Sequence, residues 1–274
     1  MTYIMKRTAL LIALALTVGC NSREQKPHGD HGKDNKDPHA QHGGQGQPTL
    51  MVQTEPKSVA AGKEAVLKLM LHDAKDKMLR DFDILHEQKI HLIIVHSGLD
   101  HFVHLHPEVD NAGNIVAKHT FPVGGTYYLF ADHKPKGQPQ ATARTELKVA
   151  GASPADSQLK VNVPGKVEGD GLTADVSIVG AKKGTEATIQ FDLRDAKGNT
   201  VEDLQPYMGE RGHLVVLSAE GKQYVHAHPA SGKESAKQRV IFQAHFSNAG
   251  VFKGWGQFRR QDRIHVIPFV MKVD

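Results

Sequence analysis

The chain has a single cysteine, Cys20, and this scarcity excludes two kinds of chemistry. One cysteine cannot form an internal disulfide, so an exported fold must be stable without one. Neither half of the chain downstream has the thiolate ligand of a blue-copper centre, which argues against an electron carrier. The charge is also modest, at +4. Because no basic stripe with interleaved aromatic residues is present, no nucleic-acid partner is expected.

Long apolar runs are missing as well, apart from one near the start. Residues 9–18 are apolar, follow Lys6 and Arg7, and precede Cys20. This run is about half the length that spans a bilayer, so residues 1–20 are predicted to be a signal peptide. Residues 16–20 resemble a bacterial lipobox, although Thr17 stands where leucine is usual. We therefore expect lipidation at Cys20 and an exported envelope lipoprotein held by its lipid, in the outer membrane or at the periplasmic face. An ordinary secretory signal is the alternative.

Residues 21–48 lack the side chains that build a core. From residue 22 to residue 48 there is no Ile, Leu, Val, Phe, Tyr, Trp or Met. Such a segment cannot bury enough apolar surface to offset its ordering entropy, so a disordered tether is predicted. Its four imidazoles, His28, His31, His39 and His42, could collect metal ions loosely, or the segment could be a plain spacer.

From residue 49 onward the sequence has a β pattern. Short β-branched and aromatic runs, separated by Gly and Asn turn signals, predict strands at 50–54, 65–71, 90–95, 102–106, 115–121, 126–131 and 142–149. A second series is predicted at 159–163, 172–178, 187–193, 214–217, 223–226, 239–246, 251–258 and 264–273. The expected fold class is all-β, with two immunoglobulin-like or cupredoxin-like sandwiches at 49–150 and 158–274 and a linker at 151–157.

The two halves form an internal repeat of about 110 residues. Leu71-His72-Asp73-Ala74-Lys75 matches Leu193-Arg194-Asp195-Ala196-Lys197, and Gly125-Thr126-Tyr127 matches Gly250-Val251-Phe252. A repeat of this length indicates two domains rather than a solenoid.

A histidine motif occurs once in each half. His91-Leu-Ile-Ile-Val precedes His104-Leu-His106-Pro, and His213-Leu-Val-Val-Leu precedes His226-Ala-His228-Pro, with thirteen positions from the first to the second histidine in both. A two-residue turn at Gly98-Leu99, of type II′, would pair Ile93 with His104 and His91 with His106. The turn at Glu220-Gly221 gives the same register in the second half.

This register places three imidazoles of each half on one face of a hairpin. Three imidazoles suit Cu(II), Zn(II) or Ni(II). Because Pro107 and Pro229 end the pairing, we expect a triad at the edge of each sandwich, open to solvent. Whether the two domains share a site is left open by the sequence. His119 and His245, which are equivalent in the repeat, are the preferred fourth ligands, and Asp132 and His133 are others. The predicted metal ligands are His91, His104, His106, His119, His213, His226, His228 and His245.

These segments, at residues 85–133 and 207–258, resemble exported bacterial CopC-like and YtkA-like modules of copper-handling lipoproteins. The resemblance implies copper or other heavy-metal binding at the envelope. For a metal relay, an efflux or metal-trafficking protein is the expected partner. A structural or adhesive β module that binds no metal, and whose histidines only fix hairpin geometry, is the alternative. A zinc hydrolase is less favoured, because its nearest general base, Glu108, has Ala230 as its counterpart. No Gly-x-Ser-x-Gly elbow or phosphate-binding loop is present, so no enzymatic activity is expected.

Overall fold

The computed structural model describes residues 47–155, 158–227, 229 and 237–274, and within these every regular element is a β-strand. The predicted signal peptide, with Cys20, and nearly all of the tether lie outside the described residues, as do part of the linker and His228. The described part of the chain holds no helix with the length and hydrophobicity needed to cross a bilayer.

The first sandwich contains eight strands. Their bounds are β1 Thr49–Glu55, β2 Glu64–His72, β3 Ile90–His96, β4 Phe102–Leu105, β5 Glu108–Val109, β6 Ile115–Thr120, β7 Gly125–His133 and β8 Ala141–Val149. The strand order is β4-β3-β7-β8-β1-β2-β6-β5, and β1 meets β8 through one parallel pair, Thr49 with Arg144. The sheet therefore folds into two four-stranded layers, β4-β3-β7-β8 and β1-β2-β6-β5. One cluster of buried residues drawn from both layers forms the core.

The second sandwich repeats this plan. Its strands are β9 Gly165–Gly169, β10 Leu172–Val179, β11 Glu186–Asp195, β12 His213–Ser218, β13 Tyr224–Ala227, β14 Arg239–His245, β15 Gly250–Arg260 and β16 Arg263–Val273. They form two sheets, β14-β11-β10-β9 and β13-β12-β15-β16, around a core of their own. The all-β fold and the tandem sandwiches are thus confirmed.

Two local predictions were wrong, and two strands were missed. Residues 159–163 are not a strand, whereas β5 and β9 were not predicted. The first hairpin turn is not type II′, because Leu99, not Gly98, has the positive φ, at 58°. Its amide donates to the carbonyl of His96, and the His96 amide donates to the carbonyl of His101. The loop between the paired residues is therefore 97–100, with Leu99 in the left-handed conformation. Gly221, at φ 66°, occupies the same position in the second half.

The layers β4-β3-β7-β8 and β13-β12-β15-β16, called the inner sheets below, pack against each other. A third apolar cluster joins them and includes Ile93, Phe130, Val215, Tyr224 and Trp255. All residues of β3 and β12 are buried, because one face covers the core of its own sandwich and the other covers the partner sandwich. By contrast, β2 alternates between buried and more exposed positions.

Two aromatic stacks cross this interface. Phe130 stacks on Tyr224 with ring centroids 4.4 Å apart, and Phe102 stacks on Trp255 at 4.8 Å. Phe130 and Trp255 hold matching positions on β7 and β15, while Phe102 and Tyr224 both begin the second strand of their hairpins. The two inner sheets therefore contact each other through equivalent residues, as in a symmetric dimer.

Candidate metal centre

The hairpin register predicted from the sequence is confirmed in both halves. Ile93 pairs with His104, and Val215 pairs with His226. Alternate residues of a strand share a face, so His91 lies beside Ile93 and Val95, two residues of the interdomain apolar cluster. The histidine face of each inner sheet therefore points at the other sandwich.

In the first sandwich, His91, His104 and His106 form a compact group. One nitrogen of each lies within 4.8 Å of the others, and no other such group of three occurs in the described part of the chain. Nδ1 of His91 is 3.1 Å from Nε2 of His104. The His106 ring centroid is 5.1 Å from that of His91 and 4.7 Å from that of His104. This group is called the triad below.

Hydrogen bonds determine which nitrogens of the triad carry lone pairs. Nε2 of His91 donates to the carbonyl oxygen of Leu85 at 2.8 Å, which leaves Nδ1 as the acceptor nitrogen. Nδ1 of His104 contacts Oε1 of Gln257 at 3.0 Å, and if it donates there, Nε2 is the acceptor. Two lone pairs would then face each other across 3.1 Å, an arrangement that a cation between them would stabilise.

His106 supplies the third nitrogen. Its Nε2 is buried and has no hydrogen-bond partner among the described residues. A buried polar atom without a partner is costly, and a metal ion is one of the partners that removes this cost. The triad therefore presents three imidazole nitrogens, each oriented by its own contacts or packing.

The second sandwich positions its histidines in the same way. Nε2 of His213 donates to the carbonyl of Tyr207 at 2.9 Å, which matches the contact of His91 with Leu85. Nδ1 of His226 donates to Oδ2 of Asp132 at 2.7 Å. The ring centroids of His213 and His226 are 5.6 Å apart. His228 lies outside the described residues.

The expectation of edge clusters open to solvent is wrong. His226 lies 5.4 Å from His104 and 5.7 Å from His91 between ring centroids, and His213 lies 6.0 Å from His104. His91 and His213 are fully buried, and His226 is 1% exposed. The two motifs meet because the inner sheets pack face to face, so they form one histidine cluster between the sandwiches.

Burial favours the neutral form of His104, His106 and His213. It lowers the pKa of His104 well below the usual value, with the His226 ring adding to the effect. It lowers the pKa of His106 to about 4 and that of His213 to about 3, although the Tyr207 carbonyl partly opposes the second shift. A metal ligand must be deprotonated, so at neutral pH these side chains are in the form that binds metal.

Asp132 is not part of the triad, although it was considered as a ligand. It is fully buried, and its carboxylate accepts hydrogen bonds from Thr142 at 2.6 Å, Tyr224 at 2.7 Å and His226 at 2.7 Å. Asp132 lies opposite His91 on the neighbouring strand of its own sheet. Its hydrogen bond to an imidazole, however, is to His226 of the other sandwich. Gln257 pairs with His213 and contacts His104 in the equivalent manner.

The structure does not bring His119 or His245 to the cluster. They lie on β6 and β14, in the outer sheets, and the ring of His119 packs against Phe121. His133 packs against Phe82 and its Nδ1 donates to the Ala131 carbonyl.

Sequence reasoning also missed one neighbour of the cluster. The ring of His86 lies 6.3 Å from His91 and 6.1 Å from His213. Its counterpart in the second half is Met208, so comparing the two halves did not select His86 as a shared histidine. A positive φ at both residues, 45° and 52°, shows that the two loops share a backbone conformation.

The chain belongs to a family described as a domain of unknown function, DUF8832, which matches residues 46–151 and 166–274. No curated protein sequence matches the chain. The comparisons give no support for a specific CopC-like or YtkA-like relationship.

Three solved structures with some similarity are remote in sequence and in superposition. A tetra-tandem repeat from the extending region of a large adhesion protein has 11% identity and a TM-score of 0.28, covering 84% of this chain. This chain spans only 49% of that protein. A carbohydrate-binding module of the β-sandwich superfamily has 9% identity and a TM-score of 0.23, covering 83% of this chain and 98% of its own. MtrC from Shewanella baltica OS185 has 8% identity and a TM-score of 0.26, covering 82% and 68%.

Proposed function

We propose that this protein is an exported envelope lipoprotein that binds copper or zinc at the histidine cluster, for buffering, relay or resistance. The single observation that carries the proposal is the convergence of the His91, His104 and His106 nitrogens within 4.8 Å. Imidazole nitrogens suit Cu(II) and Zn(II), and His91 and His104 each have an outer contact of the kind that orients metal ligands. A tether with four further histidines would raise the local concentration of ions near the cluster.

The experiment is a metal titration of chelator-treated protein. Cu(II) and Zn(II) are added in competition with a chromophoric chelator, for the parent chain, for His104→Ala/His106→Ala, and for the control His119→Ala/His245→Ala. The parent and the control should bind one ion tightly, and the triad variant should lose that binding. Equal affinity for parent and triad variant would show that the site is misassigned. Loss of metal binding in the control would indicate that the site lies in the outer sheets instead.

A structural role for the histidines is the second candidate, and one feature favours it. If the Gln257 amide is reversed, its N–H donates to Nδ1 of His104, and Nε2–H of His104 then donates to Nδ1 of His91. His91 in turn donates to Leu85, so the chain of hydrogen bonds closes without an ion. This role predicts no change in melting temperature on adding metal. A ligand at 100 times its Kd would instead stabilise the folded state by about 2.7 kcal/mol.

Export and anchoring are tested separately from metal binding. Lipidation at Cys20 should place the protein in the membrane fraction, and Cys20→Ser should release it. Mass spectrometry of the amino-terminal peptide would show the acyl groups directly. A mature parent chain that carries no lipid on residue 20 would contradict this part of the proposal.

A further inference from the structure

We infer that an ion held by His91, His104 and His106 takes a fourth ligand, His226, from the second sandwich. The ion would then tie the two inner sheets together. This inference rests on the proposed metal binding but adds a ligand from the other domain, a positioning residue and a mechanical consequence. Neither sandwich alone could form the complete centre.

The position of His226 supports this role. Its ring centroid lies 5.4 Å from His104 and 5.7 Å from His91, against 4.7–5.3 Å within the triad. Its nitrogens fall outside the set that lies within 4.8 Å of one another. Ligation therefore requires a small inward shift of His226 or of the triad, and this shift would draw the inner sheets together.

Asp132 prepares His226 for ligation. Because Nδ1 of His226 donates to the Asp132 carboxylate at 2.7 Å, Nε2 is left as the ligand nitrogen. This carboxylate–histidine pairing is the usual outer arrangement of a metal-binding histidine, and it raises the basicity of the ligand. Asp132 comes from the first sandwich, so the domain that holds the triad also orients the fourth ligand.

The carboxylate also provides charge compensation. Asp132 and His226 are 0% and 1% exposed, so a divalent ion nearby would otherwise be a poorly solvated charge. The hydroxyls of Tyr224 and Thr142 fix the carboxylate in place. Four imidazoles around one ion give the coordination number typical of a closed zinc site.

The coordination number is measured with Co(II) and Zn(II) bound to the full chain. Co(II) in a tetrahedral nitrogen site absorbs visible light strongly, whereas five- or six-coordinate Co(II) absorbs weakly. X-ray absorption of the Zn(II) form counts imidazoles without any substitution. We expect a strong Co(II) band and four imidazoles in the parent chain. Three imidazoles with a weak Co(II) band would overturn the inference.

The variants are His226→Gln, Asp132→Asn and the control His245→Ala. His226→Gln keeps a donor for Asp132 and removes the ligand nitrogen, so Zn(II) affinity should fall at least 10-fold and the Co(II) band should weaken. Asp132→Asn should weaken binding by about 10- to 100-fold, as loss of an outer partner does. His245→Ala should behave like the parent.

The failures are distinguishable. If His226→Gln binds as tightly as the parent while His104→Ala does not bind, the cross-domain ligand is wrong and the proposed function stands. If the parent itself binds neither Co(II), Zn(II) nor Cu(II), the proposed function fails. Each variant is first checked by thermal unfolding without metal, and the ion count of the parent tests the inference even if a variant does not fold.

Discussion

The two sandwiches place different side chains at one equivalent position, next to the first histidine of each motif. In the first sandwich this position is Asp132, which binds His226 across the interface, and in the second it is Gln257, which contacts His104. The backbone register is the same in both, with His91 opposite Asp132 and His213 opposite Gln257. The repeat thus preserves the geometry of the interface but makes its electrostatics asymmetric, with one buried carboxylate for two motifs.

The largest expected effect comes from removing this asymmetric carboxylate. Asp132→Ala leaves three donors, on Tyr224, His226 and Thr142, without their acceptor. It should cost about 3–5 kcal/mol, because each buried polar group left unsatisfied costs on the order of 1–3 kcal/mol. Gln257→Ala removes one contact of His104 and should cost about 1–3 kcal/mol. Urea unfolding of both variants without metal measures the difference. Equal losses would mean that the two positions are energetically alike.

The two aromatic stacks sharpen the comparison in a different way. Phe130 and Tyr224 are each 1% exposed, whereas Phe102 is only half-buried against Trp255. Phe130→Ala should therefore destabilise the protein by about 3–5 kcal/mol. Phe102→Ala should cost clearly less, because its ring already contacts solvent. Calorimetry measures both losses of stability. A larger loss for Phe102→Ala than for Phe130→Ala would show that burial of the ring does not decide how much each stack stabilises the protein.

The hairpin turns predict a smaller difference. A Cβ on Gly221 would lie 2.2 Å from the Tyr128 ring of the other sandwich, so Gly221→Ala should cost about 1–3 kcal/mol from overpacking, beyond the backbone strain of its φ of 66°. Gly137 has φ 67° and open space around it, so Gly137→Ala isolates the backbone cost. Equal melting temperatures for the two variants would place Tyr128 farther from the turn than the structure does.

The smallest expected effect, counted for each imidazole, is the dependence of folding stability on pH. The pKa of His213 in the folded state is about 3, because the ring is buried, and the unfolded value is near 6.5. The unfolded chain therefore binds more protons between these values, and stability falls as pH decreases through this window. Between pH 7.5 and 5.5 the loss should be on the order of 1 kcal/mol for each of His104, His106 and His213, whose pKa values are lowered by burial. Metal-free protein that is equally stable at both pH values would contradict the burial of these rings.

The fold and the hairpin register could be predicted because local patterns determine them. Two different turn sequences gave the same pairing, and alternation placed the three histidines of a motif on one face. The outer strand β2 alternates in sequence as it does in burial. The turn type was missed because glycine at 98 suggested a positive φ there, whereas buried Leu99 adopts it.

The shared cluster was not predicted because it depends on contacts between the sandwiches. One signal was available: the continuous apolar runs beside His91 and His213 are typical of strands covered on both faces. This signal indicates that something packs on the second face of the strand, but not which part of the protein does so. The partners Asp132 and Gln257 lie 94 and 153 positions from the imidazoles they contact, so local spacing could not reveal them.

The stack of Phe102 on Trp255 has a spectroscopic consequence. Trp255 is the only tryptophan of the chain and is 4% exposed, against the first sandwich. Its emission therefore reports on a single surface, the seam between the inner sheets, and not on either core. Separation of the sandwiches should shift that emission to longer wavelength while both remain folded, so the protein contains its own optical probe of interdomain contact.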